Sequence, residues 1–219
     1  MKIIDILYKF YFLLPNFHCL GRFGKGVNRF LDIYFLRPIF EVSVKNNFEK
    51  QFSDNSDGTL NKIPRDKKYI VSITSFPVRI NEVWISIICL MNQTFKPDKI
   101  ILWLAENQFP EKKVPSKLEQ LKKMGLEIRF CNDLRSHKKY YYSFKEYPNE
   151  YILTFDDDLY YDSRIIENLV KLKEQYPDSI VANRCHLIKY KDNRMLAYRK
   201  WDHNVTNKEP SYNLFHTSG

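Results

Sequence analysis

From Lys68 onward, short apolar runs alternate with amphipathic stretches, the pattern of strands and helices that build a parallel α/β sheet. Tyr69–Thr74 (YIVSIT) predicts a first strand. After it, Ile80, Val83, Trp84, Ile87, Ile88 and Met91 recur at helical spacing and predict a helix with one apolar face. Ile100–Leu104 (IILWL) is apolar on both alternating faces, as a central parallel strand requires, and Pro97 separates it from the preceding helix. Ser116 and Glu119 form an S-x-x-E capping box for a second helix, and Gly125 suits the left-handed position past its end. Glu127–Phe130 and Tyr151–Phe155 predict the third and fourth strands, with a Tyr-rich helical segment near Lys139–Tyr147 between them. Ile165, Ile166, Leu169 and Val170 mark another helix, and Ser179–Ala182 a fifth strand. Cys185–Tyr190 and Met195–Tyr198 are expected to pair as a hairpin around Lys191-Asp192-Asn193.

Before this domain the texture differs. The polar stretch Gln51–Lys68 reads as a linker, dividing an apolar, basic extension (residues 1–66) from the α/β domain (residues 67–219). On a helix, Lys2, Asp5 and Lys9 fall together and leave Ile3, Ile6, Leu7, Phe10, Leu13 and Leu14 as a broad apolar side. Residues 1–14 are therefore expected to contact a membrane surface or a hydrophobic partner, with packing on the protein's own core as the alternative. They show neither a small-residue cleavage site nor about 20 uninterrupted apolar residues, so neither a signal peptide nor a membrane span is expected.

Composition narrows the class. With 44% hydrophobic and 16% aromatic residues the chain can bury a sizeable core, which excludes a disordered protein. The formal charge of +9 points to an anionic partner. No zinc-finger spacing, basic-region helix or RNA-binding aromatic motif is present, so nucleic acid is not the expected one. Cys19, Cys89, Cys131 and Cys185 form no CxxC pair, which argues against a zinc site or disulfide framework and for a reducing cytoplasm. His137 and His186 have no partners at a metal spacing.

Ligands of open parallel sheets bind at the carboxyl ends of the strands, and every predicted strand here ends in polar residues. The first runs into Thr74-Ser75-Phe76-Pro77-Val78-Arg79, the second into Glu106-Asn107, the third into Asn132-Asp133-Leu134-Arg135, and the fourth into Asp156-Asp157-Asp158. Three consecutive carboxylates repel one another unless water or a cation offsets the charge. Mg²⁺ or Mn²⁺ prefers a few carboxylates plus phosphate oxygens, and strand alternation turns Asp156 and Asp158 one way and Asp157 the other. Arg135, Lys138 and Lys139 supply the counter-charge a diphosphate needs. Tyr140, Tyr141 and Tyr142 read as core and interface residues rather than a base-stacking platform.

The strings VSITSFPVRI, NQTFKPDKIILWLAENQFP, DLRSHKK and YILTFDDDLYY together resemble the successive motifs of bacterial GT-A glycosyltransferases that build surface polysaccharides. The resemblance covers about residues 68–219. It implies a GT-A-like, Rossmann-like nucleotide-binding sheet, a nucleotide-sugar donor (a UDP-sugar is expected) and a glycan or lipid-linked glycan acceptor. Asp156 and Asp158 would hold the Mn²⁺ or Mg²⁺, with Asp158 the stronger candidate, while Thr74, Ser75, Phe76 and Arg79 would border the nucleotide. Asp133, Arg135, Lys139 and Asp157 would complete the donor pocket. A glycine-rich segment and the acceptor region of the family would follow Gly219, so the acceptor part is expected to be incomplete. The catalytic base is unassigned, with Asp202 and Glu209 as the acidic candidates within the chain.

The expected protein is thus a cytoplasmic glycosyltransferase domain, peripheral on the inner face of the plasma membrane if residues 1–14 bind lipid. Two other readings stay open. Carboxylates and cations at strand ends equally suit a metal-dependent phosphohydrolase or nucleotidyltransferase, and a chain without its acceptor half could serve as a nucleotide-sugar-binding module.

Overall fold

The apolar runs become one parallel sheet, with β1 and β2 at its centre too apolar for an exposed face and buried on both. A computed structural model describes residues 27, 30, 33–34, 37–54, 60–206 and 209–216. Residues 1–14, expected to contact a membrane or an apolar partner, lie outside these. The chain divides into two compact units, Met1–Gly58 and Thr59–Gly219. In the first, helix α1 (Arg37–Asp54) carries exposed Ile39 and Val42, and it continues through Gln51–Asp54, where the sequence suggested linker. No helix among the described residues is long and apolar enough to cross a membrane.

The second unit holds β1 (Tyr69–Thr74), α2 (Val83–Met91), β2 (Lys99–Ala105), α3 (Ser116–Lys123), β3 (Leu126–Cys131), α4 (Lys138–Glu146), β4 (Tyr151–Phe155) and α5 (Ile165–Gln175). The strands form a four-stranded, all-parallel sheet in the order β3-β2-β1-β4. This is the expected α/β, Rossmann-like architecture. Register follows the apolar pattern: Val71 lies opposite Ile100 on one side and Leu153 on the other. Ile70, Val71, Ile73 and Ile100–Leu104 are buried, each large side chain contributing about 1.5–3 kcal/mol. Before β1, Asp98 gathers the entering chain, accepting from Asn61 Nδ2 (2.6 Å), Arg65 Nη1 (3.0 Å) and the Tyr69 amide (2.8 Å). The polar residues just ahead of the sheet are therefore part of this unit.

Several local expectations are corrected. α2 carries the predicted apolar face and is buried on its other side as well, at Ile85, Ser86, Cys89 and Leu90; Ser86 Oγ there donates to the Leu159 carbonyl of the chain after β4. The capping box does not form. Pro115 occupies the N-cap of α3, its carbonyl accepting from the Leu118 and Glu119 amides, while Glu119 pairs with Lys122. Gly125 does adopt a positive φ of 106°, and a Cβ there would stand 2.7 Å from Leu60 Cδ1. Ser179–Ala182 is not a strand: it lines, together with β4, a cavity of about 550 Å³ and pairs with no strand of the sheet.

The expected hairpin shrinks to β6 (Tyr190–Lys191) and β7 (Arg194–Met195) around Asp192 and Asn193, both at positive φ. Two consecutive residues with positive φ make the tight turn whose twist suits a hairpin. β5 (Cys185–Leu187) instead joins β8 (Asp202–Val205) and β9 (Leu214–His216) in a separate antiparallel sheet ordered β8-β5-β9.

One buried polar knot ties α4 to the parallel sheet. Trp103 Nε1 donates to Ser72 Oγ (3.1 Å) and Ser143 Oγ (3.0 Å), and the two hydroxyls bond each other at 2.8 Å. The Ser72 hydroxyl donates to the Lys139 carbonyl, so Ser143 is the donor between the serines. Trp103→Phe removes the donor that serves both oxygens and is expected to destabilise by about 1–3 kcal/mol in urea unfolding. Adding Ser143→Ala should deepen that loss rather than recover it, because Ser72 Oγ then loses the one side-chain donor that Trp103→Phe leaves it.

Candidate functional site

β1 has β2 on one side and β4 on the other, so the strand order reverses between β1 and β4. In such sheets the crevice for a ligand opens outside the carboxyl ends of the strands at that reversal. The residues there are Thr74-Ser75 and Asp156-Asp157-Asp158. Asp157 points inward and is 8% exposed. It accepts from Ser75 Oγ at 2.6 Å and Arg79 Nη1 at 3.1 Å. A buried carboxylate is tolerated only with such partners. Arg79 Nη1 also reaches Asp158 Oδ2 at 2.6 Å. The hydrogen bond to Asp157, together with the charges of both aspartates, raises the guanidinium pKa despite some desolvation.

Asp156 is held differently. Lys139 Nζ, in the first turn of α4 and largely buried, donates to its Oδ1 at 2.6 Å. The polar knot at Ser72 grips the Lys139 carbonyl, so the sheet interior positions this ammonium. The Asp156 backbone is clamped by Tyr161, whose hydroxyl accepts the Asp156 amide (2.8 Å) and donates to its carbonyl (3.1 Å). Burial pushes the Tyr161 phenol far above its ordinary range, so it stays a neutral donor. The loop beyond is pinned to α2 by Ser86 Oγ on the Leu159 carbonyl (2.8 Å) and Gln93 Nε2 on the Asp162 carbonyl (2.7 Å).

A second node lies at the end of β3. Asp133 accepts from Lys138 Nζ at 2.7 Å and from the Arg135 amide at 2.8 Å. The Lys138 hydrogen bond, then the amide, lower its pKa. Arg135 itself sits at φ 53° and is exposed. Phe76 is partly exposed, with the Arg79 guanidinium 5.5 Å from its ring centre. The Thr74 hydroxyl turns back to the Trp103 carbonyl at 2.8 Å.

Of the residues singled out in the sequence, the fold thus links Ser75, Phe76, Arg79, Asp157 and Asp158 in one group, Lys139 with Asp156 in a second, and Asp133 with the Arg135 amide in a third. Asp202 pairs with Lys189 (2.6 Å) and Glu209 accepts from Tyr176 (3.1 Å), which places them with the antiparallel sheet and the end of α5. Tyr142 packs on Trp103, whereas Tyr140 and Tyr141 are exposed. The residues that sequence reasoning missed are Tyr161, Ser86 and Gln93. Tyr161 stood within the DDDLYY string, but nothing in its spacing showed that its hydroxyl would return to Asp156.

Among the described residues, no three His, Cys, Asp or Glu side chains gather as a metal cage. The donor set suits a hard cation of the Mg²⁺ or Mn²⁺ kind nonetheless. The Asp156 and Asp158 carboxylates keep 34% and 45% exposure beside their ion pairs with Lys139 and Arg79, so each presents oxygen toward solvent. Such ions take one or two carboxylates and fill the remainder with water and phosphate oxygens. Compared with known protein families and with curated protein sequences, the chain finds no match.

Tyr161→Phe should speed hydrogen exchange at the Asp156 amide and lower stability by about 1–3 kcal/mol, because the amide and carbonyl lose their shared partner. The Asp133 carboxyl titrates lower in the folded than in the unfolded chain. Its contribution is therefore complete above the unfolded pKa and fades as pH falls through the depressed folded value. Asp133→Asn is expected to lower the urea midpoint at pH 7 and to flatten its decline below about pH 4.

Proposed function

We propose that this chain is a GT-A-type, metal-dependent glycosyltransferase domain. It would move a sugar from a nucleoside diphosphate sugar, a UDP-sugar first, to a hydroxyl of a bacterial surface glycan or its lipid-linked precursor. The observation that carries the reading is the reversal of strand order between β1 and β4, at which Ser75, Arg79, Lys139 and the aspartate triplet meet. The ordered motifs from VSITSFPVRI to YILTFDDDLYY support it independently.

Asp156 and Asp158 would hold Mn²⁺ or Mg²⁺, which when bound supplies charge stabilisation for the diphosphate leaving group. Asp157 shapes the site from beneath by fixing Ser75 and Arg79, so the Arg79 guanidinium stands at the strand ends without reorganising. Lys139 and Arg135 bring further positive charge to the side where a diphosphate would lie. Phe76 offers an apolar ring edge at the same mouth. Asp202 and Glu209, engaged elsewhere, are weak supports for a base, so deprotonation of the acceptor is assigned to no residue. Attachment to a membrane surface through residues 1–14 belongs to the same proposal, since a lipid-linked acceptor would be met there.

Calorimetry with UDP tests the reading. Mn²⁺ or Mg²⁺ should tighten binding by about tenfold or more, which is about 1.4 kcal/mol. Asp158→Ala should abolish that gain and leave the circular dichroism spectrum unchanged. Equal affinity with metal and with chelator would remove the ion from the proposal. Release of free phosphate from UDP-sugars, or transfer of the nucleotide itself, would replace transfer of sugar with phosphate chemistry.

A further inference from the structure

The small antiparallel sheet holds a buried donor without a hydrogen-bond partner among the described residues. His186, in the middle of β5, is 1% exposed. Its Nδ1 accepts the Asn204 amide at 3.0 Å, so the ring proton resides on Nε2. That N–H is buried, and among the described residues it has no hydrogen-bond partner. Buried polar groups are almost always satisfied, and one that is not calls for an explanation.

The neighbours of its ring are aromatic. The rings of His203 and Tyr198 lie edge-on to His186, with centres 4.7 and 5.5 Å away. Tyr198 continues to Trp201 at 5.3 Å, and Trp201 to Phe215 at 5.7 Å. Trp201 is planted by its indole N–H on the Leu196 carbonyl at 2.8 Å, whereas Tyr198 and Phe215 stay about half exposed. A charged rim adjoins the rings: Asp202 paired with Lys189, and Arg199 and Lys200 on the same turn as Tyr198.

We propose that His186, Tyr198, Trp201, His203 and Phe215 form a carbohydrate subsite that seats one pyranose ring. A sugar has the matching duality, an apolar C–H face for the rings and hydroxyls for the rim and for the His186 N–H. An organic cation would also favour aromatic faces, but Arg199 and Lys200 repel it. An apolar peptide would bury the His186 donor and the charged rim without partners. When a sugar hydroxyl parts Tyr198 from His203, it supplies the acceptor that Nε2 lacks. Naming that sugar as the acceptor glycan rests on the transferase reading above; the sugar binding itself does not.

Titration of the full chain with the methyl glycosides of glucose, galactose, N-acetylglucosamine, mannose and rhamnose, followed by aromatic and imidazole NMR, tests this. At least one glycoside should shift the Tyr198 and Trp201 ring signals saturably and move the His186 Nε2–H resonance as it gains an acceptor. Tyr198→Ala, a change at a half-exposed side chain, should weaken that binding about tenfold and leave UDP affinity with Mn²⁺ unchanged. No saturable shift with any of these glycosides, or undiminished binding by Tyr198→Ala and His186→Phe alike, would overturn the subsite. Glycoside binding without metal-dependent UDP binding would keep the subsite and defeat the transferase reading; the reverse result would defeat only the subsite.

Discussion

A carboxylate buried at the end of a parallel sheet must be neutralised where it stands, and the geometry at the strand ends follows from how Asp157 meets that demand. Desolvation makes an unpaired charge there untenable. Ser75 from the end of β1 and Arg79 from the next turn are both drawn to it. Because Arg79 also bonds Asp158, the inward aspartate and an outward one share a single cation. The loop after β1 and the loop after β4 are thereby locked together at the point where strand order reverses. What this leaves toward solvent is Asp156 and Asp158, two carboxylates held by the backbone of a third.

The other side of the site depends on the sheet's interior in a less direct way. Lys139 reaches Asp156 from the start of α4, and α4 is fastened by hydroxyls and an indole rather than by apolar contact alone. In a closely packed interior such a network specifies one arrangement, since any shift strands a polar atom. Tyr161 works in the same manner on the Asp156 backbone. The charged groups at the mouth are thus placed by neutral hydrogen bonds below them, where water does not compete.

The same accounting of polar groups separates the two ends of the domain. Around the parallel sheet the buried donors and acceptors named above are matched; Gln108, just after β2, donates through Nε2 to Asp133 (3.3 Å) while its Oε1 has no partner among the described residues. In the antiparallel sheet His186 Nε2 is without a partner among the described residues, and its ring packs against exposed Tyr198. Asp202, an acidic residue considered for catalysis from the sequence, belongs to the rim of that aromatic cluster by virtue of β8 and its pairing with Lys189.

Periodicity by itself determined the strands Tyr69–Thr74 and Tyr151–Phe155, the positions of four helices of the second unit, the α/β class, and the fact that each strand ends in polar residues. Those features are local: apolar runs of strand length admit few other structures, and Gly125 shows its positive φ in its residue type. Which strand lies beside which was not local, and the pairing of β1 with β4 is what gathers Ser75, Arg79 and the aspartates. Tertiary context also overrode local signals. Pro115 displaced Ser116 from the cap. The Ser179–Ala182 segment, strand-like in composition, found a cavity rather than a ladder beside β4. The Tyr161 clamp and the orphaned His186 proton were invisible in the sequence for the same physical reason. A hydrogen bond between distant residues depends on where two backbones come to rest, and residue type states only that a donor exists.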